Sequence, residues 1–226
     1  MARRMSLFAR LQAAAAPLRE RIHAHPFVRG LGSGDLAEDR FQFYLRQDYL
    51  FLIEYCRVLA LASARAEDLA VAARFAGLLT QTLNVEMDLH RRFARKAGIA
   101  PEVLEATRPA PATVAYTNHL RLAAETGDLS TILAAILPCA HGYWDIASAL
   151  RAEQGWDRHP RYAEWIRMYT SEEYEAFARW AADLLDRIAE ELPAGREAAL
   201  REVYLRSQRY EYLFWEMADR MEEWPV

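Results

Sequence analysis

The chain has 226 residues, of which 53% are hydrophobic and 27% are charged. This composition is typical of a globular protein and excludes a long disordered chain, a collagen-like repeat and a small disulfide scaffold. The 28 Lys and Arg against 32 Asp and Glu give a net charge of -4, without the basic excess that nucleic-acid binding uses. We therefore expect a single domain over residues 1–226 and no nucleic-acid partner.

The N-terminal segment has a basic start and an alanine run, two features that signal and transit peptides share. Arg10 interrupts its apolar part, however, and a helical stripe of apolar residues continues past any cleavage point. We interpret the segment as a first amphipathic helix, kinked at Pro17. No apolar stretch of the chain reaches the roughly 20 residues that cross a bilayer, so we expect no membrane partner.

Residues that favour helices dominate the chain, and turn residues divide it into about seven predicted helices. The predicted breaks lie at residues 30–34, 66–68, 98–111, 126–128, 155–160 and 193–195. The glycine-rich residues 30–34 are expected to form a connecting turn, with Asp35 capping the next helix. Since no alternating run of β-branched and aromatic residues predicts a strand, the sequence indicates an all-α bundle.

Asp48 lies on an aromatic stripe of the second predicted helix. The stripe consists of Phe41, Tyr44, Asp48, Phe51 and Tyr55. A carboxylate on such a face needs hydrogen-bond partners. The residues alone leave two interpretations open, namely a structural bond to a neighbouring helix or an arginine, and a binding site.

Glu211 occupies the apolar stripe of the last predicted helix. The members of this stripe are Leu200, Tyr204, Ser207, Glu211, Phe214 and Ala218. Burial without a compensating cation raises the pKa of a carboxyl, which would suit Glu211 to proton transfer near neutral pH. A salt bridge to Arg206, Arg209 or a more distant arginine is the alternative.

Cys139 lies in the middle of the helix predicted from Leu129 to Ala152, directly after Pro138, where we expect a kink. Its face includes Ile132, Ile136, Tyr143 and Ile146. A buried thiol of this kind is either an inert small hydrophobe or a reactive group. The only other cysteine, Cys56, is expected to be inert. Two distant cysteines do not form a disulfide framework, and this favours a reducing cytoplasm.

Tyr116 and Tyr169 also occupy inward stripes, the first with Thr113 and Leu120 and the second with Trp165 and Ala176. Such tyrosines either pack a core or hold a flat ring.

Glu86 and His90 stand four residues apart on a predicted stripe with Leu79, Leu83 and Phe93. Helix-bundle di-iron sites use Glu-x-x-His pairs from two helices, whereas this chain has a single such match, at Glu20 and His23. We therefore expect a hydrogen bond between Glu86 and His90, with metal ligation as the alternative.

Taken together, these features resemble the TenA family, the thiaminase II or aminopyrimidine aminohydrolases, over residues 6–221. The segments that carry the resemblance are HPFVRGLGSGDLAEDRFQFYLRQDYLFL, VEMDLH, LPCAHGYWDIA and YEYLFWEMA. The resemblance implies a single-domain, heme-oxygenase-like helical bundle.

The same resemblance implies roles for individual residues. Cys139 corresponds to the nucleophile of the family, Glu211 to its acid-base glutamate and Asp48 to the residue that holds the aminopyrimidine. The implied substrate-binding aromatic residues are Phe51, Tyr116, Tyr143 and Tyr169. Related chains vary at His141, so its role stays open.

The implied activity is hydrolysis of a C–N bond at the exocyclic methylene of an aminopyrimidine. Addition of the Cys139 sulfur to the ring expels the leaving group, and water then replaces the sulfur to give hydroxymethylpyrimidine. The resemblance implies no metal, no cofactor and a homotetramer, with which outward aromatic residues such as Trp180, Trp215 and Trp224 are compatible. Helical stripes do not distinguish 4-amino-5-aminomethyl-2-methylpyrimidine from thiamine as the substrate. Two other functions remain open, a heme-oxygenase-like metal-dependent oxidase and a non-catalytic protein that binds a pyrimidine or another protein.

Overall fold

A computed structural model describes residues 5–193 and 195–225. Within these ranges the secondary structure consists of eleven α-helices and one π-helical turn, with no strand. The helices are α1 (Leu7–His23), α2 (Pro26–Ser33), α3 (Glu38–Arg65), α4 (Leu69–Gln81), α5 (Met87–Lys96), α6 (Pro101–Glu105), α7 (Pro111–Thr126), α8 (Leu129–Arg151), α9 (Pro160–Tyr169), α10 (Glu172–Ala189) and α11 (Arg196–Arg220), and the π turn spans Thr82–Glu86. The all-α prediction is confirmed, whereas the predicted number of helices was too low.

The described residues pack as two compact units. The first contains the chain up to Asp35 together with residues 133–212, and the second contains residues 36–132 together with those after Tyr212. Two of the three boundaries between these ranges fall inside helices, so α8 and α11 each contribute residues to both units. None of the described helices combines the length and the apolar character needed to span a bilayer.

The glycine-rich segment 30–34 is not the connecting turn that we expected. Pro26 at the first turn and the side chain of His25 at the N-cap start α2, which then continues through Ser33. Only Gly34 lies outside the helix, and its φ of 82° is the left-handed conformation that glycine adopts without a Cβ clash. The N-cap of α3 is Ala37, so the predicted cap at Asp35 is also wrong.

The π turn changes which residues of the following helix face inward. The main-chain N–H of Met87 bonds to the carbonyl of Thr82, five residues earlier, where an α-helix would use the residue four earlier. Thr82, Met87 and His90 are buried, whereas Leu83 is 48% exposed. The predicted stripe through Leu83 was therefore wrong, because an uninterrupted 3.6-residue period does not describe this segment.

Aromatic residues of α3 and α11 form much of the core of the second unit. Tyr44 stacks on Trp215 with ring centroids 5.5 Å apart, and Phe214 meets the same tyrosine edge-on at 6.2 Å. Trp215 is fully buried, which corrects its expected place on an outward face, while Trp224 is 53% exposed. The predicted inward stripes of α3 and α11 are both confirmed, since every member is buried.

Candidate active site

Asp48 is buried in the second unit, with 3% of its surface exposed. Two side chains donate hydrogen bonds to its Oδ2 atom, His90 through Nε2 at 2.5 Å and Tyr44 through its hydroxyl at 3.2 Å. The partner of this carboxylate is thus a histidine from another helix. Among the residues that the structure describes, none donates a hydrogen bond to Oδ1. The Oδ2 atom of this buried carboxylate is therefore bonded to His90 and Tyr44, and its Oδ1 atom can accept a further hydrogen bond.

His90 is held at both ring nitrogens. Its Nδ1 lies 3.0 Å from the main-chain carbonyl oxygen of Glu86, so the bond between these two residues involves the backbone and not the carboxylate of Glu86. Burial disfavours the charged imidazole, but attraction to the Asp48 carboxylate, the hydrogen bond to it and the charge of Glu86 together raise the pKa of His90 above its usual range.

Phe51 stands one helical turn after Asp48 on the buried face of α3. Its ring lies 5.1 Å from that of Tyr116 in α7, 5.7 Å from that of Phe214 and 5.9 Å from that of Tyr55, measured between centroids. Two of the predicted substrate-binding residues, Phe51 and Tyr116, are thus in ring contact. Such an aromatic group offers flat apolar surface to a planar heterocycle.

The two cysteines have different surroundings. Cys56 is buried, and burial together with the nearby charge of Glu86 raises its pKa to about 11, so that it stays a protonated thiol. Cys139 is only partly buried in α8, and neither Cys56 nor Cys139 forms a disulfide bond. The predicted inert character of Cys56 agrees with this environment.

Tyr143 and Tyr169 lie together in the first unit. Their ring centroids are 4.8 Å apart, and Trp165 contacts both rings, at 5.8 Å from Tyr143 and 4.7 Å from Tyr169. Tyr143 shares a face of α8 with Cys139, four residues earlier. The predicted stripe through Ala176 was wrong, because α9 ends at Tyr169 and Ala176 lies exposed on α10.

His141 follows Cys139 by two residues and so projects from a different face of α8. Its ring packs edge-on against Phe8 at 4.9 Å and Trp144 at 5.1 Å, and its Nδ1 lies 3.4 Å from Nε2 of Gln12. Burial lowers the pKa of His141 to about 4, the nearby Asp145 opposing this shift only in part. A neutral, packed imidazole of this kind is suited to a structural role.

Glu211 is buried in α11, with 3% of its surface exposed, and Tyr204 lies two turns earlier on the same face, fully buried. Burial raises the pKa of the Tyr204 hydroxyl, and the charge of Glu211 adds to the effect. Arg206 and Arg209, the local candidates for a salt bridge, lie on the exposed side of the helix.

The residues considered as metal ligands have other partners. His90 binds Asp48, as described above, and Nε2 of His23 lies 2.9 Å from Oδ2 of Asp145. Within the described ranges, no group of three or more His, Cys, Asp or Glu side chains is arranged to hold a metal ion.

The chain matches known proteins along nearly its whole length. The model of the TENA/THI-4/PQQC family matches residues 12–221. An aminopyrimidine aminohydrolase from Halalkalibacterium halodurans is 42% identical over 220 residues, which cover 97% of this chain and 98% of that protein.

Solved structures agree with this match. A TenA family transcription regulator from Silicibacter superposes with a TM-score of 0.88 at 33% identity, over 94% of this chain and 96% of that one. A Shewanella denitrificans domain with a heme oxygenase-like fold reaches a TM-score of 0.75 at 16% identity, over 94% and 92% of the two chains, and this likeness confirms the predicted fold class. From the family match over residues 12–221 and the 42% identical relative, it follows that the chain belongs to the TENA/THI-4/PQQC family.

Proposed function

We propose that this chain is a hydrolase of thiamine salvage that cleaves the C–N bond at the exocyclic methylene of an aminopyrimidine. The observation that carries this proposal is the Halalkalibacterium aminopyrimidine aminohydrolase, whose 42% identity extends over 97% of the chain. The surroundings of Asp48 support it independently, because they suit a flat ligand that donates hydrogen bonds.

In the second unit, Asp48 is the proposed orienting residue. Its Oδ1 accepts a hydrogen bond from the amino group of the pyrimidine, while Oδ2 stays bonded to His90 and Tyr44. The rings of Phe51 and Tyr116 provide apolar surface for the heterocycle. A site of this kind selects a planar ring that carries at least one N–H donor.

In the first unit, Cys139 is the proposed nucleophile and Glu211 the proposed acid-base residue. The sulfur of Cys139 forms a bond to the pyrimidine ring, and the electrons released break the bond between the exocyclic methylene and its nitrogen. Glu211 removes the thiol proton of Cys139 as this bond forms and passes it to the departing nitrogen. Water then adds its oxygen to the methylene carbon and gives a proton to Glu211. The bond between sulfur and ring breaks, and Glu211 returns the proton to the sulfur. The sum is substrate and water giving hydroxymethylpyrimidine and ammonia.

Tyr143 and Tyr169 are the proposed remaining substrate-binding residues. Their contact at 4.8 Å and the shared packing against Trp165 fix both rings in place. Rings held in this way lose little conformational entropy when a substrate binds.

The proposal is tested by incubating the purified protein with 4-amino-5-aminomethyl-2-methylpyrimidine and, separately, with thiamine. Chromatography and mass spectrometry then measure hydroxymethylpyrimidine. We expect product from the first compound, and the ratio of the two kcat/KM values gives the substrate preference. Absence of product from both compounds would show that the chain does not catalyse this reaction.

We also propose that the chain forms a homotetramer, as the family resemblance implies. Trp224, which is 53% exposed although its indole N–H donates to the carbonyl of Pro109, is one aromatic side chain available to a subunit contact. Light scattering coupled to size-exclusion chromatography measures the mass directly, and a mass of one 26.0 kDa chain would contradict the proposal.

A further inference from the structure

The two acceptors that flank His90 determine where its protons lie. The carbonyl oxygen of Glu86 can only accept a hydrogen bond, so the Nδ1 atom that faces it at 3.0 Å must carry a proton. The Nε2 atom faces a carboxylate oxygen of Asp48 at 2.5 Å, a distance at which a proton must lie between the two atoms. The pair therefore holds one proton more than a neutral imidazole beside a carboxylate.

The groups around this pair favour a protonated imidazole beside an ionised carboxylate. Asp48 in α3 and Glu86 in the π turn both contribute negative charge, and both raise the pKa of His90 against the opposing effect of burial. Tyr44 donates its hydroxyl proton to Asp48, and Cys56, which feels the charge of Glu86, is kept neutral by its raised pKa of about 11. Among the described contacts of Asp48, His90 is the only cation.

The π turn places this histidine. Because Thr82 and Met87 are joined by a bond over five residues, the helix that follows is rotated relative to a continuous α-helix, and His90 is buried at 1% exposure. Single π turns of this type are frequent at functional sites.

We propose that His90 is a positioning residue, which fixes Oδ2 of Asp48 and thereby keeps Oδ1 ionised and aimed at the amino group of the bound pyrimidine. This inference rests on the proposed function, because it presupposes that Asp48 binds the substrate. His90 itself touches no substrate in this scheme. Without it, Asp48 is a buried carboxylate with only the longer bond from Tyr44, and burial without a nearby cation disfavours the ionised form of a carboxyl group.

The experiment compares the wild-type chain with His90→Leu, which removes both ring bonds, and His90→Gln, which keeps an N–H donor but no charge. The readouts are kcat, KM and their pH profiles with 4-amino-5-aminomethyl-2-methylpyrimidine. We expect His90→Leu to raise KM about tenfold or more, the size of effect typical of a lost hydrogen bond to a charged group. In both variants the acid limb of kcat/KM moves to higher pH. The KM of His90→Gln should lie between those of the wild type and His90→Leu.

A stability control separates positioning from loss of packing. Leu104→Ala removes a buried side chain from the cluster with Tyr49, Leu52 and Met87 in the same unit. It lowers the melting temperature, yet we expect its KM and its pH profile to match those of the wild type. If Leu104→Ala shifts the acid limb as much as the His90 variants do, the shift reports destabilisation, and the positioning role is rejected.

Nitrogen-15 NMR of the imidazole rings tests the proton count without any activity. Comparison with His90→Gln assigns the signals, and we expect both ring nitrogens of His90 to be protonated at pH 7 in the wild type. A neutral ring with an unprotonated Nε2 overturns the inference.

The two hypotheses fail in different ways. A wild-type chain without turnover contradicts the proposed function, while the NMR result still decides the protonation of His90. An active wild-type chain in which Asp48→Asn raises KM but both His90 variants leave KM and the pH profile unchanged contradicts only the role of His90.

Discussion

Arg19 in α1 donates a hydrogen bond to Oδ2 of Asp145 in α8 across 2.7 Å, and His23 binds the same oxygen atom at 2.9 Å. Burial disfavours the ionised carboxyl, but the bonds from His23 and Arg19 outweigh it and lower the pKa of Asp145 to about 2. These two bonds join α1 to α8, the helix that also carries Cys139.

The first prediction concerns acid stability. A carboxyl whose folded pKa is depressed stabilises the fold above its ordinary pKa, and this contribution is lost as the pH falls toward the folded value. We expect Asp145→Asn to lower the free energy of unfolding at pH 7 by on the order of 1 to 2 kcal/mol, a figure reduced for partial solvent exposure. Urea denaturation at several pH values measures it, and the difference should shrink as the pH falls through the folded pKa of about 2 and vanish only below that value.

Glu153→Gln is the matched control for this variant. Glu153 also pairs with an arginine, Arg29, but these two side chains are 38% and 49% exposed, more than those of Asp145 and Arg19, so the loss should be below about 1 kcal/mol. Equal losses in the two variants would contradict a special contribution from Asp145.

The second prediction concerns the two thiols. Cys139→Ala should lower kcat by at least about three orders of magnitude, because no other group in the proposed scheme adds to the ring. Cys56→Ala is the control, since a buried thiol with a pKa near 11 does not react at neutral pH. Circular dichroism checks that both variants fold, and a Cys139→Ala chain with unchanged turnover would remove the nucleophile assignment.

The third prediction concerns substrate orientation by Asp48. Asp48→Asn should weaken binding of hydroxymethylpyrimidine about tenfold or more, because a neutral amide replaces a charged acceptor. Isothermal titration calorimetry measures the dissociation constant. Asp88→Asn in α5 provides an exposed aspartate for comparison, one that pairs only with Arg91 among the described ion pairs, and there we expect no change. Equal affinities of the Asp48→Asn and wild-type chains would refute the assignment.

The fourth prediction links His90 to stability at alkaline pH. A histidine whose folded pKa is raised stabilises the fold fully below its unfolded pKa of about 6.5, and this contribution is lost as the pH rises through the folded value. The double variant His90→Gln/Asp48→Asn lacks both ionisable groups. The free energy of unfolding of the wild type minus that of this variant should fall between pH 6.5 and 9, by no more than about 1.4 kcal/mol per pH unit. A difference that is constant or rises over this range would contradict the raised pKa.

The residues that periodicity could identify lie in helices without irregular turns. Asp48 in α3 and Glu211 in α11 were correctly predicted to be buried, because a constant 3.6-residue period describes both helices from end to end. The resemblance supplied the family and the expected hydrolase activity, which the aminopyrimidine aminohydrolase relative supports.

Other features depend on information that periodicity does not contain. The partner of Asp48 lies 42 residues away in the chain, and only tertiary packing brings His90 to it. The π turn was missed because its five-residue bond has no distinctive residue pattern. Trp215 was misplaced because helix faces that contact other helices on two sides bury residues outside a single stripe.

The five-residue turn makes the spacing between α4 and α5 part of the chemistry. Successive residues of a helix are rotated by about 100° about its axis. In a chain with one residue fewer in the π turn, the same histidine would therefore point away from the Asp48 carboxylate. A relative that keeps the aspartate and the histidine but lacks one residue of the turn would need another hydrogen-bond partner for the aspartate. Its affinity for an aminopyrimidine would then have to come from a different contact.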